Sequence, residues 1–424
     1  MRVSKERVKA QLVVVGMIGL MFVALSSALP VGAAPTVSEH VVSTAGPTGT
    51  PAVTSVACIS VGNCVVAGYG SGDQAFVRTE RSGHWSRAIN PIKNLGKVIG
   101  SSLYTLSCFR DGCLIFGEFT PSKGSQTIAH FTVSYSGGTW HKAKLAALPL
   151  GSAKGFDESG ISCEDSRDCV VVGRLPYSDN SVSVSDFVSA PAVLTMTNGV
   201  WRSPTLIGAK TAGLPPSSFS DLSCPSWGNC VAVGIGKVDG HFRSIEATET
   251  NGAWSPVTSP FPKGWDVLSV SCPTTVHCTV GGSINSASRG EAFVSSEQSG
   301  LWLHAVQVGT AWTVKTGYSG SSANLLFCAS ATTCVVAGMV DGPRATMNGK
   351  FSVSSVAWVA NETGGRWNAG AMIGYRAGKI NEGQVDDLSC PSATSCVAVG
   401  QSGIKNSKMF QIGRADNFVA TVTP

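Results

Sequence analysis

Cysteine is the residue type best equipped for chemistry in this 424-residue chain, and it occurs fourteen times. Thiols can carry out redox work, ligate metal or cross-link a chain, and spacing separates these uses. Here they fall as Cys58/Cys64, Cys108/Cys113, Cys163/Cys169, Cys224/Cys230, Cys272/Cys278, Cys328/Cys334 and Cys390/Cys396, with none left over. Six pairs enclose five residues and Cys108/Cys113 encloses four. A structural zinc site wants closer spacing, as in C-x2-C, and usually two coordinated pairs. An even cysteine count in a chain that opens like an exported protein fits disulfides instead. Redox catalysis is the functional alternative. Seven alike pairs read as staples, each closing a hairpin.

Other chemistry is thin. The seven histidines, His40, His84, His130, His141, His241, His277 and His304, show no ligand spacing, so no His-built metal site and no cofactor is expected. No Gly-x-Ser-x-Gly elbow, phosphate-binding loop or paired-carboxylate motif stands out. Polar candidates lie in segments that differ between repeats: Lys97, Asp157, Glu158, Lys263, Asp266, Arg344, Tyr375, Arg376 and Glu382. Trp265 and Trp312 fall outside the repeated tryptophan position and are the candidates for stacking on a ligand.

The elements that must position these residues repeat with the cysteines. From Cys58 to Cys390 the period averages about 55 residues, the range of propellers, solenoids and arrays. Each repeat holds a short strand ending in Cys ("TLSC", "SVSC") and a second starting at its partner ("CVVAG", "CVAVG"). A third strand follows ("AFVRTE", "SIEATE"), then a Gly-containing turn and a Trp opening the fourth: Trp85, Trp140, Trp201, Trp254, Trp302 and Trp367. Four antiparallel strands per repeat is a propeller blade. A large aromatic at a fixed place in each blade fills the gap between neighbours. "DLSCPSWGNCVAVG" (Asp221 to Gly234) and "DLSCPSATSCVAVG" (Asp387 to Gly400) are two copies of the first hairpin. The seventh repeat ends at Pro424 after its third strand, "NFVATV", with no Trp strand. "TVSEHVVST" (Thr36 to Thr44) is placed to supply the missing outer strand, since an open ring would leave strand edges unpaired. The expected fold is all-β: a seven-bladed β-propeller of four-stranded antiparallel blades, closed three plus one by the N-terminal strand.

At the third-to-fourth-strand turn, "TETNGAW" (Thr248 to Trp254) and "TMTNGVW" (Thr195 to Trp201) resemble the Asp-box, or BNR, repeat of sialidase-type propellers, which reads Ser-x-Asp-x-Gly-x-Thr-Trp. The polar start, the Gly and the Trp are kept. The Asp is missing, and Gly precedes Trp by two positions rather than three. The resemblance spans all seven repeats and extends to the sialidase-like propellers related to photosystem-assembly factors. A sialidase of this type would need three arginines on the substrate carboxylate, a Tyr nucleophile with a Glu partner, a further acid and an Arg-Ile-Pro stretch. That set does not map onto this chain residue by residue.

The opening segment reads as a secretory signal: Arg2, Lys5, Arg7 and Lys9, then the apolar "QLVVVGMIGLMFVAL", then Pro30 and small residues. Residues 1–33 are expected to be removed, leaving 34–424 as the propeller, secreted or held at the cell surface with no membrane span. The net charge of +5 is concentrated in that leader, so the rest is near neutral, which argues against nucleic acid. Stapled hairpins share one face of such a propeller; the long, varied connections share the other, the usual layout of a binding surface. Two functions remain open. One is a recognition or scaffold propeller for an extracellular protein or glycan. The other is a carbohydrate-active hydrolase or lyase, sialidase-like, with its site at the central mouth.

Overall fold

In the computed structural model the described residues are 35–41, 52–70, 74–96, 98, 100–121, 128–146, 156–177, 188–208, 217–238, 241–286, 289–298, 300–309, 320–341, 345–347, 350–352, 355–373, 382–403 and 415–424. They form seven antiparallel blades. In blade 4, for example, Ser218–Ser226 is innermost, followed outward by Asn229–Val238, His241–Thr250 and the short Ala253–Trp254. Blade 7 is closed as expected. Thr36–Val41 pairs antiparallel with Ala415–Thr423, from Thr36 opposite Thr423 to Val41 opposite Phe418, and becomes the outer strand. The first and last described strands are thereby zipped into one sheet, which pairs the edges that an open ring would expose.

Both faces of each blade are buried, which explains why the second strands read as unbroken apolar runs rather than alternating ones. In "CVVVG" of blade 3, Cys169 and Val171 pack toward blade 2, whereas Val170 and Val172 pack toward blade 4. The core is accordingly a ring of inter-blade clusters. Trp140, Trp201, Trp254, Trp302 and Trp367 each join the cluster between their own blade and the one before, and Trp85 joins the seam of blades 7 and 1. At the seam of blades 6 and 7 no repeated Trp exists, and Val37 of the closing strand packs there instead.

In the fully described turns before the repeated Trp residues both central residues are left-handed, as in Asn251 (φ 52°) and Gly252 (φ 81°). That geometry matches the twist of the flanking strands and selects Asn-Gly and Gly-Gly. It also links the two hairpins of a blade: the Gly252 N–H donates to the Gly228 carbonyl of the stapled turn at 2.9 Å.

All fourteen cysteines form disulfides within a blade: Cys58–Cys64, Cys108–Cys113, Cys163–Cys169, Cys224–Cys230, Cys272–Cys278, Cys328–Cys334 and Cys390–Cys396. No described cysteine is free. The staples lie where the spacing put them, at the turn between the first and second strands, and they are also part of the core: Cys272, Cys328 and Cys390 among the first cysteines are buried. The first cysteine ends the inner strand beside the axis. The second, which opens the next strand, is sealed inside the ring: Cys64, Cys113, Cys169, Cys230, Cys278, Cys334 and Cys396 are all buried. Cys64, Cys113, Cys278 and Cys396 pack in the apolar seams as Cys169 does, so each serves as a small core side chain as well as a cross-link. The physical reason is that the second strand lies between two neighbours in its own sheet and between two adjacent blades.

Blade 2 manages with one residue fewer because Phe109 pairs directly with Gly112, where blades 1 and 6 insert a bulge after the first Cys. Each bridge closes a loop of about seven residues, for which the chain-entropy estimate is about 2 kcal/mol. Replacing Cys224 and Cys230 together by Ala is expected to lower the stability of the ring by about that amount or more, read as a shift in urea midpoint. Non-reducing peptide mapping should return only within-blade links; a cross-blade link would overturn the pairing.

Among the described residues no helix is long and apolar enough to cross a membrane.

Candidate functional site

Seven inner strands surround an axial channel of about 730 Å³. Much of its polar lining is occupied in joining blades. Ser107, Ser223, Ser271 and Ser389 each accept the N–H of the cysteine that ends the next blade's inner strand: Cys163, Cys272, Cys328 and Cys58. The two "DLSC" copies have a further reason to agree. Asp221 Oδ2 accepts the Val270 N–H at 2.9 Å, tying blade 4 to blade 5. Asp387 Oδ2 accepts the Val56 N–H at 2.8 Å and the Ser55 hydroxyl at 3.0 Å, tying blade 7 to blade 1. Burial pushes these carboxyls up, to about 7 for Asp221 and about 6 for Asp387, against the pull of the N–H donors. Their work is structural.

The concentration of unspent chemistry lies elsewhere, at the variable face where blades 1, 2 and 3 meet. A cavity of about 360 Å³ opens there between Tyr69 of blade 1 and Ser101, Ser102, Glu118, Thr120 and Ile128 of blade 2. Strand ends place these residues. Tyr69 and Glu118 both directly follow the glycine of the C-x-x-x-G second strand, one in each blade. The aligned residue of blade 3 is Arg174, whose Nη2 forms an exposed ion pair at 2.6 Å with Asp157 Oδ2.

Behind the cavity, Glu118 lies opposite His130 on the adjacent strand, and Glu158 approaches from the inner strand of blade 3. One ligand atom from each of the three comes within 4.8 Å of the others. The side chains of His130 and Glu158 are each 1% exposed, with Nε2 3.9 Å from Oε2. His130 Nε2 also lies 3.0 Å from the Phe156 carbonyl, to which it donates, much as the Ser244 hydroxyl donates to Trp265 between blades 4 and 5. Phe116 stacks on the imidazole, with ring centroids 5.3 Å apart. Burial, with the charges of Glu118 and Asp157 adding to it, raises Glu158 to about 8. Burial likewise raises Glu118 and lowers His130, so the imidazole is held neutral.

The repeat provides an internal control for this cluster. Where blade 3 has Glu158, the other blades have Val53, Leu103, Phe219, Val267, Ala323 and Val385. Where blade 2 has His130, they have Ala75, Pro191, Ser244, Ala292, Ala357 and Asn417. Two ionisable residues thus stand at places where the other blades carry no ionisable side chain, and they meet in one seam.

Of the candidates read from sequence, Glu158 joins the cluster with Glu118 and His130, and Asp157 pairs with Arg174; neither lines the cavity itself. Trp265 does not offer a stacking face: it begins the inner strand of blade 5, is 9% exposed, and its ring lies 4.4 Å from that of Phe293. Its place just after a Pro-Gly-rich connection made it look like a loop residue, but its ring joins the apolar seam of blades 4 and 5. Asp266 bonds the Asn285 amide within blade 5. Lys97, Trp312, Arg344, Tyr375 and Arg376 lie outside the described residues, and of Glu382 only the backbone is described, at the start of the blade 7 inner strand. Glu118 and His130 were missed by reading spacing; blade-by-blade alignment would have singled out both.

No family model matches the chain, and no curated protein matches it. Solved structures do. YCF48 from Cyanidioschyzon merolae is similar at 10% identity and TM-score 0.52, over 92% of this chain and 99% of that one. An ulvan lyase of polysaccharide lyase family 25 is similar at 8% identity and TM-score 0.51, over 88% of this chain and 94% of that one. A Hadza microbial sialidase gives 7% identity and TM-score 0.45, over 68% of this chain and 63% of the sialidase. At such identities the likeness to the first two is one of fold alone, a β-propeller.

Proposed function

We propose that this protein is a secreted or cell-surface propeller that recognises a glycan at the mouth formed by blades 1 and 2. The observation that carries the reading is the cavity of about 360 Å³ walled by Tyr69 on one side and by Ser101, Ser102, Thr120 and Glu118 on the other. A sugar ring has one apolar C–H face and a rim of hydroxyls. A phenol offers an amphipathic surface to the first, and hydroxyls and a carboxylate bond the second. The pocket volume is within the ordinary range for small-ligand sites. An ulvan lyase of the same fold acts, by its name, on a polysaccharide, which makes carbohydrate the first class to test. Export is supported by the basic and apolar leader of residues 1–33 and by the disulfides in all seven blades.

The hydrolase or lyase reading is favoured by one feature, the pair Glu118 and Glu158 with raised pKa values beside the cavity. Glu158 is sealed behind Glu118, however, and a general acid must reach the bond it protonates. Recognition without turnover is therefore the better supported reading.

A glycan array probed with the exported protein, run beside a hydrolysis assay on the same glycans, tests it. Binding without turnover is expected, with Tyr69→Ala weakening the best ligand at least tenfold. Turnover that survives purification and is abolished in Glu118→Gln would replace recognition by catalysis. Glycan binding unaffected by Tyr69→Ala would move the site elsewhere.

A further inference from the structure

The cluster behind the cavity supports a conclusion independent of the glycan reading. We propose that Glu118, His130 and Glu158 form a binding site for one divalent cation of the zinc type, reached from the mouth past Glu118.

Three observations support it. The donor atoms already converge, one from each residue within 4.8 Å of the others, so that small side-chain rotations bring them to the roughly 3.3 Å that separates donors around a tetrahedral zinc ion. Buried donor capacity is left over: Glu158 Oε1 and His130 Nδ1 have no hydrogen-bond partner, although both side chains are 1% exposed. Buried polar atoms are almost always satisfied, so a pair of orphans in one cluster points to a missing partner. Finally, Glu158 occupies a position that the other blades fill with apolar side chains, so no requirement of the blade itself put a carboxylate there.

The donor set selects the ion. One imidazole and two carboxylates, without thiolate, suit a first-row divalent ion better than calcium or magnesium, which take oxygen ligands. Three protein ligands leave a fourth position for water or a ligand group on the cavity side, where Glu118 is half-buried. The imidazole is prepared for ligation: its Nε2–H donates to the Phe156 carbonyl, which leaves Nδ1 with a lone pair and no hydrogen-bond partner.

The test is calorimetric titration of the tag-free exported protein, freed of metal with EDTA, with Zn²⁺ and separately with Ca²⁺, at pH 7. One saturable equivalent of Zn²⁺ is expected, tighter than Ca²⁺. Glu158→Gln and Glu118→Gln should each weaken it about tenfold to a hundredfold, the range seen when a coordination sphere is perturbed. Near-UV circular dichroism checks that the variants are folded, and Glu118→Gln, at a half-buried position, stands in if Glu158→Gln is not. Absence of a saturable equivalent, titration of either folded variant like wild type, or preference for Ca²⁺ would each overturn the site. Weak Zn²⁺ binding that persists unchanged in both variants would belong to surface histidines such as His141 and would count against it as well.

Discussion

Gly234→Ala is expected to destabilise the propeller by about 3 kcal/mol or more, although the change adds a single methyl group. The reason is a feature present in every blade. One residue of each inner strand is squeezed out of register as a bulge: Thr54, Tyr104, Ser159, Ser220, Leu268, Asn324 and Asp386. Beside the bulge, a carbonyl of the inner strand presses against the glycine that ends the C-x-x-x-G segment of the second strand. A Cβ on Gly234 would lie 2.0 Å from the Ser218 oxygen and 2.6 Å from the Phe219 Cα, both backbone atoms that no rotamer change can move. The same carbonyl contact is 2.0 Å at Gly68, 1.9 Å at Gly173, 2.0 Å at Gly282, 1.9 Å at Gly338 and 2.0 Å at Gly400. A bulge bends a strand and increases its twist, so these glycines allow seven inner strands to curve around one axis. Gly252→Ala is the control: nothing lies within 4 Å of its would-be Cβ, and only its φ of 81° opposes a side chain, which predicts a loss of about 1 kcal/mol. Urea unfolding of the two variants compares them directly. Gly234→Ala within about 0.5 kcal/mol of wild type would show that the strands can separate at the bulge and that the contact does not govern the ring.

Those glycines also mark how far the sequence could be read. The cysteine period counted the blades, the final short repeat located the closure, and "NGAW" and "GGRW" announced two-residue turns, because each of these depends on local chemistry repeated in register. The glycine after "CVVA" or "CVAV" was visible as a repeat, but its cause was not. The cause is a carbonyl on a strand about sixteen residues away, displaced by a bulge that carries no residue signature: Thr, Tyr, Ser, Leu, Asn and Asp all occupy it. The cysteines divide in the same way. Their pairing was legible from spacing, whereas the burial of Cys64 or Cys396 depends on which blade lies alongside. Asp221 and Asp387 behave likewise, since what they hold belongs to the next blade. The Glu118, His130 and Glu158 cluster is assembled from three strands of two blades, so no linear spacing describes it. Its trace in the sequence is a breach of the repeat. Trp265 shows the opposite error, a residue outside the repeat pattern that packs as an ordinary core side chain.

Raising the pH from 5 to 8.5, with EDTA present to keep metal out, is expected to weaken the fold, and Glu158→Gln should remove a substantial part of that loss. Glu158 titrates at about 8 in the folded protein, chiefly because burial disfavours its charge and secondarily because Glu118 lies beside it. An unfolded glutamate titrates near about 4.3. Between those values the folded chain holds a proton that the unfolded chain releases. The contribution to stability is therefore intact below the unfolded value and declines as pH rises toward about 8. Glu246 and Asp221, raised to about 7, and Asp386 and Asp387, raised to about 6, push in the same direction. For Glu246 the hydrogen bond from Trp302 Nε1, at 2.9 Å, opposes burial without overcoming it. This is the reverse of a protein whose carboxylates are held by ion pairs, which gains stability as it leaves acid. Glutamine matches the protonated acid in shape and cannot ionise. Glu158→Gln should thus exceed wild type by about 1 kcal/mol at pH 5, where the unfolded glutamate has already largely ionised, and by roughly 2 kcal/mol or more at pH 8.5, less than the full shift implies because the seam can relax and admit water. Urea midpoints at the two pH values decide it. A wild-type midpoint that rises with pH, or a variant that tracks wild type in parallel, would mean that Glu158 is ionised in the folded seam. Addition of Zn²⁺ to wild type at pH 8.5 should then restore stability that the same addition cannot restore in Glu158→Gln, because the ion neutralises the charge that burial otherwise opposes.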